Sequence, residues 1–325
     1  MTEPLLKTVR VAVVGAGVMG RYHAMNYMAL PRVELVAMVD PDPGRRLAAE
    51  VEFGCRTYSS VKELLSAHQV DAASVAAPTS LHYLLTKQLL SAGVHVLVEK
   101  PVATDVSQAL ELASISRHRD LVLQVGHITR FYQSVEMLKR EVREPYLLEA
   151  RRLVPSARVK DVGVVLDLMI HDIDIVLSLV AQKPVAISAA GKSLNGSQHE
   201  DVAAAQIVFE NGCIARLLAS RVAPDAERSL LVAERHQTLR VDFAKEPYTE
   251  VAIYKNPDGD SSPGHVQLDR HVLHEENPLL KELGHFLARL RRETNPIGTL
   301  DDDVRSLTLA SRLLEVLASG NVAPV

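Results

Sequence analysis

The stretch LDLMIHDIDIV (166–176) sets three aspartates and a histidine among apolar residues. At about 100° per residue on a helix, Asp167, His171 and Asp174 share one narrow stripe, and Asp172 stands apart. The rest of the circumference is apolar, the inverse of an amphipathic surface helix. A buried helix with one polar line is expected. A carboxylate one turn from an imidazole can orient it for proton transfer. The same groups could ligate a metal or form a self-satisfied buried ion cluster. No second histidine or cysteine cluster stands nearby to complete a common zinc set.

Two other motifs carry chemistry. VAVVGAGVMG places Gly15, Gly17 and Gly20 as G-x-G-x-x-G, with Val18 and Met19 at the start of the expected helix. Between a strand and a helix, this spacing allows a tight turn, close approach of a pyrophosphate and tight helix–sheet packing. Asp40 ends the next apolar run, where a carboxylate accepts hydrogen bonds from ribose hydroxyls and favours NAD over NADP. Arg45 nearby blurs that preference. VEKPV puts Glu99, Lys100 and Pro101 at a strand end, where open α/β sheets bind ligands. A partly desolvated lysine there can act as a general acid/base, and the Lys100–Pro101 bond is a candidate for cis. A strand-capping surface Lys–Glu pair is the other reading.

These residues need elements to hold them. VRVAVVG (9–15), VELVAMVD (33–40), DAASVAAP (71–78), HVLVEKP (95–101) and LVLQVGH (121–127) are largely continuous apolar runs, as strands buried on both faces are. Helix-like segments separate them, which predicts a doubly wound parallel sheet over 1–127. After 127, PYLLEARRLV (145–154) reads as a strand, followed by the helix with the polar stripe. Strand-like runs then follow one another from Lys183 to about His274, with Asn211-Gly212 supplying the φ > 0 residues of a hairpin turn. NPDGDSSPG (256–264) reads as a long polar loop, and two amphipathic helices follow Asn277. The expected class is α/β: a Rossmann-type domain over 1–127, then an α+β domain over 128–325. The second domain would carry a large, mostly antiparallel, open-faced sheet packed on the helix. Runs such as VAAAQIVF and IARLLAS are too apolar to leave its other face wet, so a homo-oligomer is expected.

Composition narrows the classes of function. The chain has 325 residues, 47% hydrophobic and 23% charged, with net charge −4 and no tryptophan. Nothing in that balance favours nucleic acid or an anionic membrane. Cys55 and Cys213 lack metal or redox spacing, MTEPLLKTVR lacks a signal-peptide apolar run, and no long apolar stretch would span a bilayer. A cytoplasmic setting without membrane insertion is expected.

At these motifs the chain resembles, over essentially its whole length, the Gfo/Idh/MocA family of NAD(P)-dependent oxidoreductases. AAPTSLH (76–82) is similar to the family segment beside the nicotinamide, VEKPV to its E-K-P signature, LDLMIHDID to its D-x-x-x-H element and NPLLKELGHFL to its penultimate helix. The resemblance implies Lys100, Asp167 and His171 as the catalytic set. It implies Gly15, Gly17, Val18, Met19, Gly20, Asp40, Ala77, Pro78, Thr79, His82, Glu99 and Lys100 as cofactor-binding, with no metal. Within the family, DVGVVLDLMIHDIDIVLSLV and QVGHITRF look most like the branch that oxidises the 3-hydroxyl of UDP-N-acetylglucosamine. An aminotransferase partner there converts the ketone to the 3-amino sugar of lipid A. The approach to the D-x-x-x-H helix, glycine-rich in many members, is here only Asp161-Val162-Gly163.

The implied reaction is alcohol oxidation, in which Lys100 or His171 takes the hydroxyl proton as hydride leaves for NAD. Asp167 would position His171 or bind a neighbouring hydroxyl. Arg130, Arg158 and Lys160 are candidate donors to a diphosphate, Arg130 and Arg158 through the guanidinium fork; as solvated surface charges they would do nothing. Other substrates, inositol or UDP-N-acetylglucosaminuronic acid, and a non-catalytic NAD sensor are the competing readings.

Overall fold

The computed structural model describes residues 8–155, 161–194, 196, 198–245, 247–256, 266–320 and 323–324. The chain forms two compact units, Met1–Ile128 with Leu279–Val304, and Thr129–Pro278 with Arg305–Val325. The change of rhythm after residue 127 lies at the first crossing between them, and the chain crosses back at 279.

The first unit alternates strand and helix: β1 (Val9–Val14), α1 (Val18–Ala29), β2 (Val33–Val39), α2 (Pro43–Phe53), β3 (Arg56–Tyr58), α3 (Val61–Ala67), β4 (Ala72–Val75), α4 (His82–Ser91), β5 (His95–Glu99), α5 (Val106–His118) and β6 (Leu123–Gly126). Polar caps start several helices. The side chains of Asp42, Ser60 and Asp105 accept first-turn N–H groups of α2, α3 and α5, and Pro43 opens α2. All the strand pairings are parallel, in the order β3-β2-β1-β4-β5-β6. The order reverses between β1 and β4, the switch point where such sheets open a ligand crevice.

The second unit begins with α6 (Gln133–Glu141) and β7 (Leu147–Leu153), then a π-helical turn, Val165–Met169, runs into α7 (Ile170–Leu179). There follow β8 (Pro184–Lys192), β9 (Val202–Phe209), β10 (Ile214–Ser220), β11 (Glu227–Ala233), β12 (Gln237–Asp242), β13 (Tyr248–Lys255) and β14 (Gln267–His274). Helices α8 (Pro278–Leu290) and α9 (Leu300–Ser319) and the short β15 (Ala323–Pro324) close the chain. The second sheet has nine strands, β14-β13-β12-β11-β7-β10-β9-β8-β15. Only β7 and β10 pair in parallel. Those two strands also lie against α7, and β10 against the π turn.

Strand alternation sorts the apolar runs. Ala203, Ala205, Ile207, Phe209, Ala215, Leu217 and Ala219 are buried, while Gln206 and Arg216 are exposed on the opposite face. There Arg216 pairs with Glu149 at 3.1 Å and Arg151 with Glu227 at 2.9 Å. The face expected to be apolar carries cross-strand ion pairs, with Val208, Ile214 and Leu218 half-buried among them.

Helix α8 shows how the return to the first unit is stabilised. Leu279, Leu283, Phe286 and Leu287 fall on one face and join Val11, Val13, Tyr27, Met38 and Leu97 in one core cluster. Burying each such large side chain is worth about 1.5–3 kcal/mol.

Candidate active site

In the first unit, the turn after β1 is shaped by what cannot fit. Gly15 has φ +101°, and a Cβ there would collide with the carbonyl oxygen of Ala76; a Cβ at Gly20 would collide with that of Gly15. Gly17 differs. It caps α1 without a side-chain hydrogen bond, and the nearest atom to its missing Cβ is Arg45 Nη1 at 4.0 Å. Open space over the unpaired amides of a helix start suits a diphosphate, so the residues present fit a dinucleotide. Val18 and Met19 form the first turn of α1, with Val18 exposed.

Asp40 is buried at the end of β2. Its Oδ2 accepts the Ala16 N–H at 2.8 Å and its Oδ1 the Asp42 N–H at 2.9 Å, which ties the glycine turn to β2. Arg45 is largely exposed, its Nη1 3.8 Å from Asp40 Oδ2. The residue flagged for cofactor preference therefore stands beside both Gly17 and Asp40.

At the ends of β4 and β5, Ala77 is half-buried, Pro78 is exposed, and the buried Thr79 opens a short 3-10 turn. The ring of His82 is buried, with Nδ1 2.7 Å from the Pro101 carbonyl and Nε2 2.9 Å from that of Ala77. It is a strut joining the two segments. The Lys100–Pro101 peptide is cis, and Lys100 is half-buried. Glu99 turns towards α1, its Oε1 2.8 Å from Nε2 of the fully buried His23. Burial works to raise the Glu99 carboxyl. His23, by hydrogen bond and charge, then Lys100 and His82 by charge, outweigh it and hold the group below the ordinary carboxylate range. Sequence reasoning passed over His23. Its signal was a histidine three residues past Gly20, on the inward line of Gly20, Ala24 and Tyr27.

In the second unit, Asp167 is buried at the centre of the π turn, and His171 is half-buried in the first turn of α7. The π turn replaces the regular α-helical geometry expected around Asp167. Asp174 and Asp172 are each held by an arginine. Arg130 Nε and Nη2 donate to Asp174 at 2.9 and 2.6 Å, and Ser306 Oγ donates to the same carboxylate at 3.2 Å. Arg152 Nε and Nη2 donate to Asp172 at 3.0 and 2.7 Å. All four charged side chains are over 90% buried.

Arg130, expected as a diphosphate donor or a solvated charge, is instead held in a bidentate pair that anchors α7. Arg158 and Lys160 lie outside the described residues. Arg152 was missed because neither arginine of PYLLEARRLV carries a sequence signature of its partner. Among the described residues, no cluster of three or more His, Cys, Asp or Glu is arranged to hold a metal, and no helix is long and apolar enough to cross a membrane.

Comparison with known proteins adds identity to this geometry. Residues 9–127 match the NAD-binding Rossmann-fold domain of the Gfo/Idh/MocA oxidoreductase family, and residues 137–245 match a Gfo/Idh/MocA C-terminal domain. The chain is 36% identical over 236 residues to UDP-N-acetylglucosamine 3-dehydrogenase of Acidithiobacillus ferrooxidans, covering 72% of this chain and 74% of that one. It is 29% identical over 319 residues to scyllo-inositol 2-dehydrogenase (NAD(+)) of Bacillus subtilis, covering 90% and 89%. A solved structure of the Acidithiobacillus enzyme superposes with a TM-score of 0.86 at 30% identity, over 97% of this chain and 99% of that one. With its glycine turn, its buried Asp40 and its two-sheet architecture, the chain belongs to the Gfo/Idh/MocA family of oxidoreductases and carries that family's NAD-binding domain.

Proposed function

We propose that the protein oxidises the 3-hydroxyl of UDP-N-acetylglucosamine to the 3-keto sugar with NAD. The observation that carries this reading is the likeness to the Acidithiobacillus 3-dehydrogenase, at 36% identity in sequence and over nearly the whole chain in structure. NAD supplies, when bound, a hydride acceptor at its nicotinamide. The chain's own residues do the rest. Gly15, Gly17, Gly20 and Asp40 hold the dinucleotide, with Thr79 lining the nicotinamide end. His82 and Glu99 shape that end through Ala77, Pro101 and His23. Lys100 or His171 takes the hydroxyl proton, and Asp167 orients His171 or binds a neighbouring hydroxyl. Arg158 and Lys160 are the proposed diphosphate ligands, and Arg130 steadies α7 through Asp174.

The keto product is a substrate for transamination, so an aminotransferase partner in a cytoplasmic setting fits the reading. Half-buried Val208, Ile214 and Leu218 on the outer sheet face support a homo-oligomer. A polyol is the second reading, favoured by the 29% identity to the inositol dehydrogenase across 90% of the chain. The purified protein is incubated with NAD and either UDP-N-acetylglucosamine or scyllo-inositol, adding an aminotransferase and glutamate to pull the first equilibrium. NADH and a 3-amino nucleotide sugar are expected from the first mixture. NADH from the inositol alone would replace the reading, and none from either would sink it.

A further inference from the structure

Asp167 and His171 can act only if the first turns of their helix are held in place. That helix starts without help from its own side chains, since the residue before the π turn is Val164, which has no oxygen to cap an amide. The amides of a helix start still need acceptors. Two come from a residue far along the chain, in the segment leading into β9. The Val164 N–H donates to the backbone carbonyl of Glu200 at 3.1 Å, and the Val165 N–H to Glu200 Oε1 at 2.9 Å.

Gly163 makes this possible. A Cβ there would overlap the Glu200 carboxylate at Cδ and at both oxygens. Its φ lies outside the left-handed region, so glycine here leaves the space that the Glu200 carboxylate occupies and is not needed for backbone conformation. The single glycine of Asp161-Val162-Gly163 is thus the seat of a carboxylate. The same residue begins the helix, because the Asp167 N–H donates to the Gly163 carbonyl at 3.0 Å.

The neighbour of Glu200 is itself anchored. Asp201 Oδ1 accepts Arg221 Nε at 2.6 Å and Oδ2 accepts the Leu194 N–H at 2.8 Å. Arg221 Nη1 also donates to the Val162 carbonyl at 2.9 Å, and both charged residues are buried. Glu200 directly, and Asp201 through Arg221, therefore hold 162–165, one by a carboxylate laid over a glycine and the other by a buried ion pair.

We propose that Glu200 is a positioning residue for Asp167 and His171, clamping the start of their helix through the space that Gly163 leaves open. It touches the helix and not the reacting atoms, and its effect reaches the chemistry through the placement of Asp167.

The test compares the full-length protein with Glu200→Ala, Glu200→Gln, Glu200→Asp, Gly163→Ala and the Gly163→Ala/Glu200→Ala double variant. Two readouts are used: amide hydrogen exchange at 164–167, and steady-state turnover of UDP-N-acetylglucosamine with NAD. The turnover arm rests on the nucleotide-sugar reading above, whereas the exchange arm does not. If wild type makes no NADH, that reading fails and exchange alone judges the clamp.

Glu200→Ala should speed exchange at Val165 by about tenfold or more. It should lower kcat about 10- to 100-fold, as a small misplacement of a catalytic group does, and leave NAD affinity within about twofold. Gln keeps an acceptor oxygen at the same reach and should restore most of both. Asp is one methylene short and should not. Gly163→Ala should be as damaging as Glu200→Ala, and the double variant no worse than either, since both remove the same contact. Unchanged exchange at Val165 in Glu200→Ala overturns the proposal, and so do losses that simply add in the double variant. Should Glu200→Ala not fold, the Gln and Asp pair decides: an active Asp beside an inactive Gln would refute the clamp.

Discussion

Lys100 and His171 differ in what surrounds them. Lys100 follows Glu99, whose carboxylate is tied back to His23 on α1, so the strand end that carries the lysine is braced against the dinucleotide helix. His171 sits one helical turn past a buried aspartate, between residues 170 and 172 that are themselves buried. In the proposed reaction each can meet the proton of the hydroxyl. Lys100→Ala and His171→Ala should therefore each lower kcat by about 100- to 10,000-fold, the usual worth of general acid/base catalysis. NAD affinity, measured by direct titration, should move less than about threefold in both. Unchanged turnover in both variants would refute their roles. The proposed residues stand in local patterns, G-x-G-x-x-G, E-K-P and D-x-x-x-H, and the family resemblance is what implies their roles. The partners His23 and Glu200 were not legible in this way, because each finds its carboxylate or amide far away along the chain.

Elements are placed by buried charge as much as by apolar packing. Helix α7 is pinned at two aspartates, to Arg152 on β7 and to Arg130 before α6. A buried bidentate pair adds little net stability over apolar residues of equal volume, but removing one partner strands the other. Arg152→Ala should cost about 3–5 kcal/mol in urea unfolding, while the Arg152→Met/Asp172→Leu double variant recovers most of that loss. A cost below about 1 kcal/mol for Arg152→Ala would show that Asp172 is satisfied another way. The boundaries of α2 and β7 follow from Pro43 and from apolar alternation. Three-residue β3 escaped notice because it is too short for a period to register. At the β9–β10 hairpin, Gly212 at φ +81° is the turn's left-handed residue and Asn211 is not one. Asn211 contributes through its side chain, whose Oδ1 accepts the Cys213 N–H at 3.1 Å. The loop Glu210-Asn211-Gly212 thus has one left-handed residue, where both Asn211 and Gly212 were expected to be.

At the scale of the molecule, the depressed carboxyl of Glu99 links stability to pH. Its folded value lies below the ordinary 4.5. The unfolded chain therefore binds more protons in that window, and stability rises with pH across it. The contribution is complete above the ordinary value and is lost as pH falls through the folded one. In His23→Ala, burial acts on Glu99 with less opposition, and its carboxyl rises. Urea unfolding at a series of pH values should show the largest deficit of the variant near neutrality, narrowing as the pH drops below about 4.5. A deficit that stays constant with pH would show that His23 acts by packing alone.

Sequence by itself determined the parallel and antiparallel sheets, the glycine turn, Asp40 and the buried polar helix, since each rests on neighbours within about a helical turn or on strand alternation. Only the tertiary structure decided that Arg130 and Arg152 neutralise the helix, that Glu99 belongs to His23, and that Glu200 fills the space over Gly163. It also assigned α8 to the first unit. The physical reason is the same throughout: a buried charge or an open helix start must find a partner, but the path of the chain decides which residue provides it.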